Sequence, residues 1–448
     1  MSVSDIQLEL IDKAKKYLQK KSNENINVHN SGCCYFTSWG PSPGYAILKL
    51  WQKGFKAIFN SYKIFFKDII SISSFYGYHL VNELEANKKY NKIIVSWGSK
   101  NSFLPDGSYQ DKYFQINSKE TNGALWFLIY DDKVLPVKIN NNILIFTGSK
   151  NTSKFNFLYL FKEIIKKIIL SKFSIKKFFH ITSSYTEFSD IVWNKLKEFI
   201  KEDINTIIMP YEGQPFQNKI FYKIKKINSK IKTIGYVHTF PSSLPTHYIS
   251  RDGSPEKLIV SGDDQHYCFN KYLNWTNNQL KILPSTRYSR ISENMSGCIY
   301  LPMDLPSVDI IIKSLQNLLK SNREKIISNL VVKNHPSMKD SKKHLEIIKK
   351  INNLLLSHKN SPQEKSYENK LSIFIGPTSA PIEALERGVE VIHICDDPVF
   401  QCYSSTLCPS IKVIKINENI YEYQLLKKGN LIQLGDSSKT FQKYYEKI

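Results

Sequence analysis

Short apolar runs bounded by polar turns alternate, along most of this chain, with stretches where apolar side chains recur every three or four positions. In the last third, residues 298–302, 330–333, 371–375 and 389–394 read as strands, and 307–319, 339–356 and 381–387 as helices. Residues 357–370 are polar and read as a surface loop. Strands alternating with helices predict a parallel sheet covered on both faces. An upstream series repeats the theme, with strands at 206–209, 233–238, 258–261 and 280–283 and helices at 216–226 and 264–272. Earlier still, 92–96, 125–130 and 143–146 look like strands and 155–170 like a helix. The polar stretch 285–296 separates the two series, so the expected architecture is α/β, two doubly wound domains facing each other across a cleft. The expected division is 1–288, with additions, and 289–448, the last helix being a candidate to pack back on the first domain.

A chain of 448 residues is too long for one core, which agrees with two domains. With 42% hydrophobic and 23% charged residues it buries enough apolar surface to fold, which excludes disorder as the main state. No apolar run reaches the roughly 18–20 residues of a membrane span, since Lys63 and Lys67, for example, interrupt 62–72. Residues 1–9 are polar and acidic, unlike a secretory signal, so the expected site of action is cytoplasmic. Seven cysteines, among them Cys33, Cys34, Cys395, Cys402 and Cys408, lack the close paired spacing of a zinc site and read as reduced thiols. The net charge of +22 favours anionic partners: nucleotides, nucleic acid or anionic lipid. Lysine is abundant everywhere, however, and no recognition helix or Arg-rich block stands out, so nucleic acid is not the expected partner. An RNA-binding protein remains the non-enzyme alternative.

In open α/β sheets ligands bind outside the carboxyl ends of the strands. Two loops there carry candidate chemistry. The strand at 330–333 runs into Lys333-Asn334-His335-Pro336, where the imidazole can donate to a phosphate oxygen and Pro336 restricts the backbone. The strand at 371–375 runs into Gly376-Pro377-Thr378-Ser379-Ala380-Pro381, where a Gly turn, two hydroxyls and a helix start make an anion site. Glu383 is placed either to accept from ribose hydroxyls or simply to favour the first helical turn by about 0.3–1 kcal/mol.

Taken together, Lys-x-His-Pro after one strand and a Ser/Thr pair before a Glu-Ala-Leu helix after the next resemble the donor domain of GT-B glycosyltransferases, whose domains are Rossmann-like. They are most similar to bacterial transferases of CMP-activated sugars: sialic, pseudaminic or legionaminic acid, or Kdo. The resemblance implies that His335 contacts the CMP phosphate, that Thr378 and Ser379 assist, and that Glu383 holds the ribose. Residues 209–216 and 235–239, with 95–98 and 106–114, resemble segments of bacterial surface-carbohydrate biosynthesis proteins. The implied reaction moves a nonulosonic-type sugar from CMP to a hydroxyl of a glycan or lipid-linked glycan acceptor. A CDP-glycerol-type polyol phosphate transferase and a sugar-nucleotide epimerase are alternatives within the same fold.

Those sialyltransferases carry an acidic pair before a glycine, whereas this chain offers Asp106-Gly107, Glu212-Gly213 and Asp252-Gly253. Glu212, between a strand and a helix, is the leading candidate for the base that deprotonates the acceptor, with Asp106 second. His238 ends a strand and reads as a core or acceptor-binding residue. The pairs Asp131-Asp132, Asp263-Asp264 and Asp396-Asp397 do not form a convincing metal site, so no metal and no cofactor beyond the donor substrate are expected. Finally, 155–179 combines Phe, Leu and Ile with Lys162, Lys166, Lys167, Lys172, Lys176 and Lys177. It is expected to be an amphipathic helix whose apolar face either packs on its own domain or enters the headgroups of an anionic membrane.

Overall fold

A computed structural model describes residues 1–23, 35–38, 40–84, 88–121, 123–132, 134–148, 156–289, 295–359, 370–435 and 439–447. The first sheet is built from β1 (His79–Leu80), β2 (Lys92–Gly98), β3 (Ala124–Tyr130), β4 (Ile143–Thr147), β5 (Thr206–Pro210), β6 (Lys232–Tyr236), β7 (Lys257–Val260) and β8 (Leu280–Ile282). Its order is β1-β4-β3-β2-β5-β6-β7-β8, parallel except for β1. After β9 (Ser285–Ser289) come the strands of the second sheet: β10 (Cys298–Tyr300), β11 (Val331–Lys333), β12 (Leu371–Ile375), β13 (Glu390–Ile394), β14 (Ile411–Lys415) and β15 (Ile420–Leu425). The order here is β11-β10-β12-β13-β15-β14, parallel up to β13 and antiparallel through the final hairpin. A short β16 (Leu434–Gly435) returns to pair with β9, inside the stretch expected to be only a linker.

Strand geometry explains both faces of the first sheet. Successive side chains point to opposite sides, so Ile93, Val95, Leu125, Phe127 and Ile129 enter one core and Ile94, Trp126, Leu128 and Tyr130 another. Helices cover the first of these, notably Ser184–Leu196, Pro215–Ile227 and Asp263–Tyr272. The second is covered differently: Tyr109, Phe114 and Ile116 of an irregular segment, with Phe441 and Tyr445 of the last helix, Lys439–Tyr445, close it. Phe441 lies 4.6 Å from the Phe114 ring, and Lys92 donates to the Tyr445 carbonyl at 2.9 Å. The irregular segment keeps its shape because Asp111, wholly buried, accepts from Ser96, Tyr109 and the backbone N–H groups of Tyr113 and Phe114.

The larger core runs without a break from the first sheet into Phe374, Val391, Tyr421 and Tyr423 of the second. Buried polar contacts bind the two sheets further. Gln7 donates to the carbonyls of Val399 (3.0 Å) and Cys402 (2.9 Å), and Asp264 accepts from Ser410 twice at 2.8 Å. Five described cysteines are buried and free, whereas Cys33 and Cys34 lie outside the described residues. Chain order reverses between β2 and β5 in one sheet and between β10 and β12 in the other, so each sheet has a crevice at its switch point.

Candidate functional site

The two crevices open toward each other. Loops leaving the carboxyl ends of β5 and β6 form one wall of a cavity of about 360 Å³, and loops leaving β10, β11 and β12 form the other. Glu212 and His238 come from the first wall; Met303, His335, Thr378 and Ser379 come from the second. A neighbouring cavity of about 460 Å³ lies wholly on the first sheet, between Trp97, Tyr113, Asp131 and Tyr185. Glu212 and His238 line both cavities, so the carboxylate stands where the two meet.

The local sequence explains how Glu212 is held there. Gln217, one turn into the next helix, accepts from the backbone N–H groups of Glu212 (2.9 Å) and Gln214 (3.1 Å) and donates to the Pro210 carbonyl at 2.7 Å. Gly213 takes φ +65°, and a Cβ there would collide with the carbonyl of His247, so only glycine fits the turn. Arg251 fastens the facing loop, donating to the carbonyls of Gly213, His247 and Ile249 at 2.8–3.0 Å. The carboxylate itself accepts from Gln214 at 2.5 Å and stands 3.5 Å from Nε2 of His238.

Burial pushes the Glu212 carboxyl above its ordinary pKa, with the Gln214 hydrogen bond and the Arg287 charge pulling the other way. His238 is driven down to about 3 by burial, reinforced by Arg287 and Lys112, so the ring is neutral at physiological pH. Its edge-on contact with Tyr113, 4.6 Å between centroids, fixes the imidazole plane. Asp111 acts at one remove, because it holds the backbone of Tyr113.

On the opposite wall, Nδ1 of His335 accepts from the backbone N–H of Ser337 at 3.2 Å. In the neutral ring the proton therefore sits on Nε2, free to donate to an anion. Burial, together with nearby His344, keeps the His335 pKa below its usual value, against the opposing charge of Asp304. Thr378 accepts from the N–H of Ala380 at 3.2 Å, at the start of the helix Ala380–Glu386, which carries Pro381 in its first turn. Gly376 serves as a turn, at φ +66°, and its carbonyl accepts from His393. Pro336 opens the short turn Pro336–Met338 beside His335.

Five candidate site residues are not among those lining either cavity: Pro336 and Gly376, which shape the two turns just described, and Asp106, Lys333 and Glu383. Asp106 is half-exposed on a turn and is bound by Ser108 and Lys119, a pairing that holds its carboxyl well below the usual range. Lys333 lays its ammonium 5.5 Å from the centroid of the Tyr300 ring, on the neighbouring strand. Glu383 forms a two-pronged ion pair with Arg387, one turn on, at 2.8 and 3.0 Å. Of the acidic pairs, Asp264 is taken up by Ser410, Asp397 by Lys49, and Asp131 lines the larger cavity.

Sequence reading passed over Arg287, which lines the smaller cavity from β9. It also passed over Ser243 and His247 in the same wall. Both are buried, and Ser243 Oγ, His247 Nδ1 and His238 Nδ1 have no hydrogen-bond partner among the described residues. Three buried polar atoms of this kind around one cavity suit a polar ligand better than an apolar one.

No family model matches the chain, and no curated protein matches it. Among solved structures, an alpha,alpha-trehalose 6-phosphate synthase from Burkholderia multivorans superposes with a TM-score of 0.32 at 11% identity, over 60% of this chain and 68% of that one. A likeness that weak leaves the architecture resting on the chain's own two sheets.

Proposed function

We propose that this protein is a glycosyltransferase of the GT-B type that moves a nonulosonic-type sugar from a CMP donor to a hydroxyl of a bacterial surface glycan. The observation that carries this reading is the position of Glu212. It is a carboxylate of raised pKa at the junction of two cavities, one of them closed on its far side by His335, Thr378 and Ser379. In this reading the CMP phosphate lies against the second sheet and the acceptor enters through the larger cavity. Glu212 takes the proton of the acceptor hydroxyl as its oxygen bonds to the anomeric carbon, and the electrons of the breaking bond leave with the phosphate. His335, through its Nε2–H, and Arg287, through its charge, offset the negative charge developing there. Lys333 and Glu383, engaged elsewhere in the structure, have no direct part in the scheme, and Asp106 has none.

The donor half is tested without an acceptor. CMP should raise the melting temperature more than UMP, GMP or inorganic phosphate at equal concentration, and His335→Ala should remove the difference. Equal shifts from all four ligands would end the CMP assignment.

A further inference from the structure

Two helices on the amino-terminal side each turn an apolar stripe to solvent while burying charged or polar residues beside Ile64 and Ile69 in one and Leu160 in the other. Helix Ile58–Ser71 turns Ser61 and Asp68 inward, where Asp68 accepts from the backbone and hydroxyl of Ser184. Its solvent face carries Phe59, Tyr62, Phe66 and Ile70, spaced i, i+3, i+7, i+11 along one stripe. Helix Phe157–Leu170 repeats the arrangement. It buries Glu163 and Lys167, the latter paired with Glu187 at 3.3 Å, and exposes Leu158, Phe161, Ile165 and Ile169 at the same spacing. Phe59 is 85% exposed and Leu158 78%. Ser184 and Glu187 lie one turn apart on the same supporting helix, so both helices fasten their buried polar side chains to it and leave their apolar stripes exposed.

A soluble surface does not hold contiguous apolar stripes of this kind without a partner. Exposed lysines flank them: Lys63 and Lys67 on one helix, Lys162 and Lys166 on the other, with Lys172 just beyond. We infer that this two-helix face is a docking surface for an anionic lipid membrane. Each helix, fourteen residues and so about 21 Å long, lies in the interface plane with its aromatic stripe among the headgroups and its lysines on lipid phosphates. Among the described residues no helix is long and apolar enough to cross a membrane, so the contact is peripheral. The face adjoins the larger cavity, whose wall includes Phe75, just past the first helix, and Ser184, which anchors it. An acceptor carried on a lipid would therefore meet the cavity from the bilayer side.

Flotation of the whole chain with vesicles tests this independently of any donor. The parent should float with phosphatidylglycerol-rich vesicles and much less with pure phosphatidylcholine. Phe59→Ser/Phe66→Ser/Phe161→Ser/Ile165→Ser should cut partition by at least about tenfold, with an unchanged melting temperature because all four sites are exposed. Should that variant fold poorly, Lys63→Gln/Lys67→Gln/Lys162→Gln/Lys172→Gln should abolish the preference for anionic vesicles. A parent that fails to float, variants that float like the parent, or a parent dimer that the apolar variant turns into a monomer would overturn the inference. The last result would give the face to a second copy of the chain.

Discussion

Glu212 and His238 meet at 3.5 Å, Oε1 to Nε2, as a carboxylate and a neutral imidazole rather than as an ion pair. Burial raises the pKa of the first and depresses that of the second, so neither partner neutralises the other. The carboxylate remains a stronger base than an ordinary glutamate, and it keeps that strength as long as the histidine stays unprotonated.

Glu212→Gln should lower turnover by about 10² to 10⁴ while leaving CMP binding nearly unchanged. It should also alter stability in a direction fixed by the pKa. A buried carboxyl whose pKa rises on folding costs nothing below its unfolded value of 4.5, and the cost grows to its full size once the pH passes the higher folded value. The variant is therefore expected to match the parent's melting temperature in acid and to exceed it at neutral pH. A lower melting temperature at neutral pH, or a near-normal rate, would take the base role away from Glu212.

Arg287 favours the ionised form of Glu212. Replacing it by Ala should shift the acid limb of kcat/KM to higher pH and weaken CMP binding, whereas Arg287→Lys should restore most of the limb's position. Charge alone acts on the limb, so a lysine that fails to rescue it would mean that the arginine works by shape. An unchanged profile in both variants would remove Arg287 from the mechanism.

Gly213→Ala asks for a side chain at φ +65° and against the His247 carbonyl at once. The loop must shift, at a cost of about 1–3 kcal/mol for the strain, and Glu212 shifts with it. The expected result is a lower melting temperature together with a loss of turnover out of proportion to it. A fully active Gly213→Ala would show that the position of Glu212 does not depend on this turn.

Much of this arrangement was readable in the chain, and what was not has physical reasons. Strands β5 to β7, β10, β12 and β13 announce themselves because a strand buried on both faces must be a continuous apolar run, whereas β8 and β11, partly exposed edge strands, show only as short apolar runs. Glu212, His335, Thr378 and Ser379 could be found because they directly follow such runs. The hairpin β14–β15 escaped because its half-exposed pattern, with Lys412 and Lys415 interleaved, resembles a polar loop. Arg287 escaped because β9 pairs with Leu434–Gly435, nearly 150 residues later, and no local pattern signals such a partner. The amphipathic helix at 157–170 was visible, but its orientation was not. Whether Lys167 or Phe161 faces inward depends on Glu187, a residue of another helix. For the same reason Lys167 belongs to the interior and not to the basic surface that the sequence suggested.

The interior also fixes how the protein should respond to acid. His238 and His247 are each held down to about 3 by burial, and His393 to about 4. His393 shows how a neutral ring is satisfied: it is 2.7 Å from the Gly376 carbonyl through Nε2 and 2.9 Å from the Tyr423 hydroxyl through Nδ1, one nitrogen donating and the other accepting. In the unfolded chain such rings take up a proton near 6.5, whereas in the folded chain they do not until the pH is far lower. Their stability contribution is thus intact above 6.5 and is lost as the pH falls toward the folded values. At about pH 5 each ring costs about 2 kcal/mol, a sum comparable with the stability of a whole domain. Asp68, whose pKa burial lifts to about 6, works in the opposite sense and offsets part of the loss. The contribution of one ring is isolated by difference: the unfolding free energy of His393→Gln, measured in urea between about pH 5 and 6.5, should fall less steeply on acidification than the parent's, by about one proton. Parallel slopes for the two proteins would mean that His393 is already protonated in the folded state.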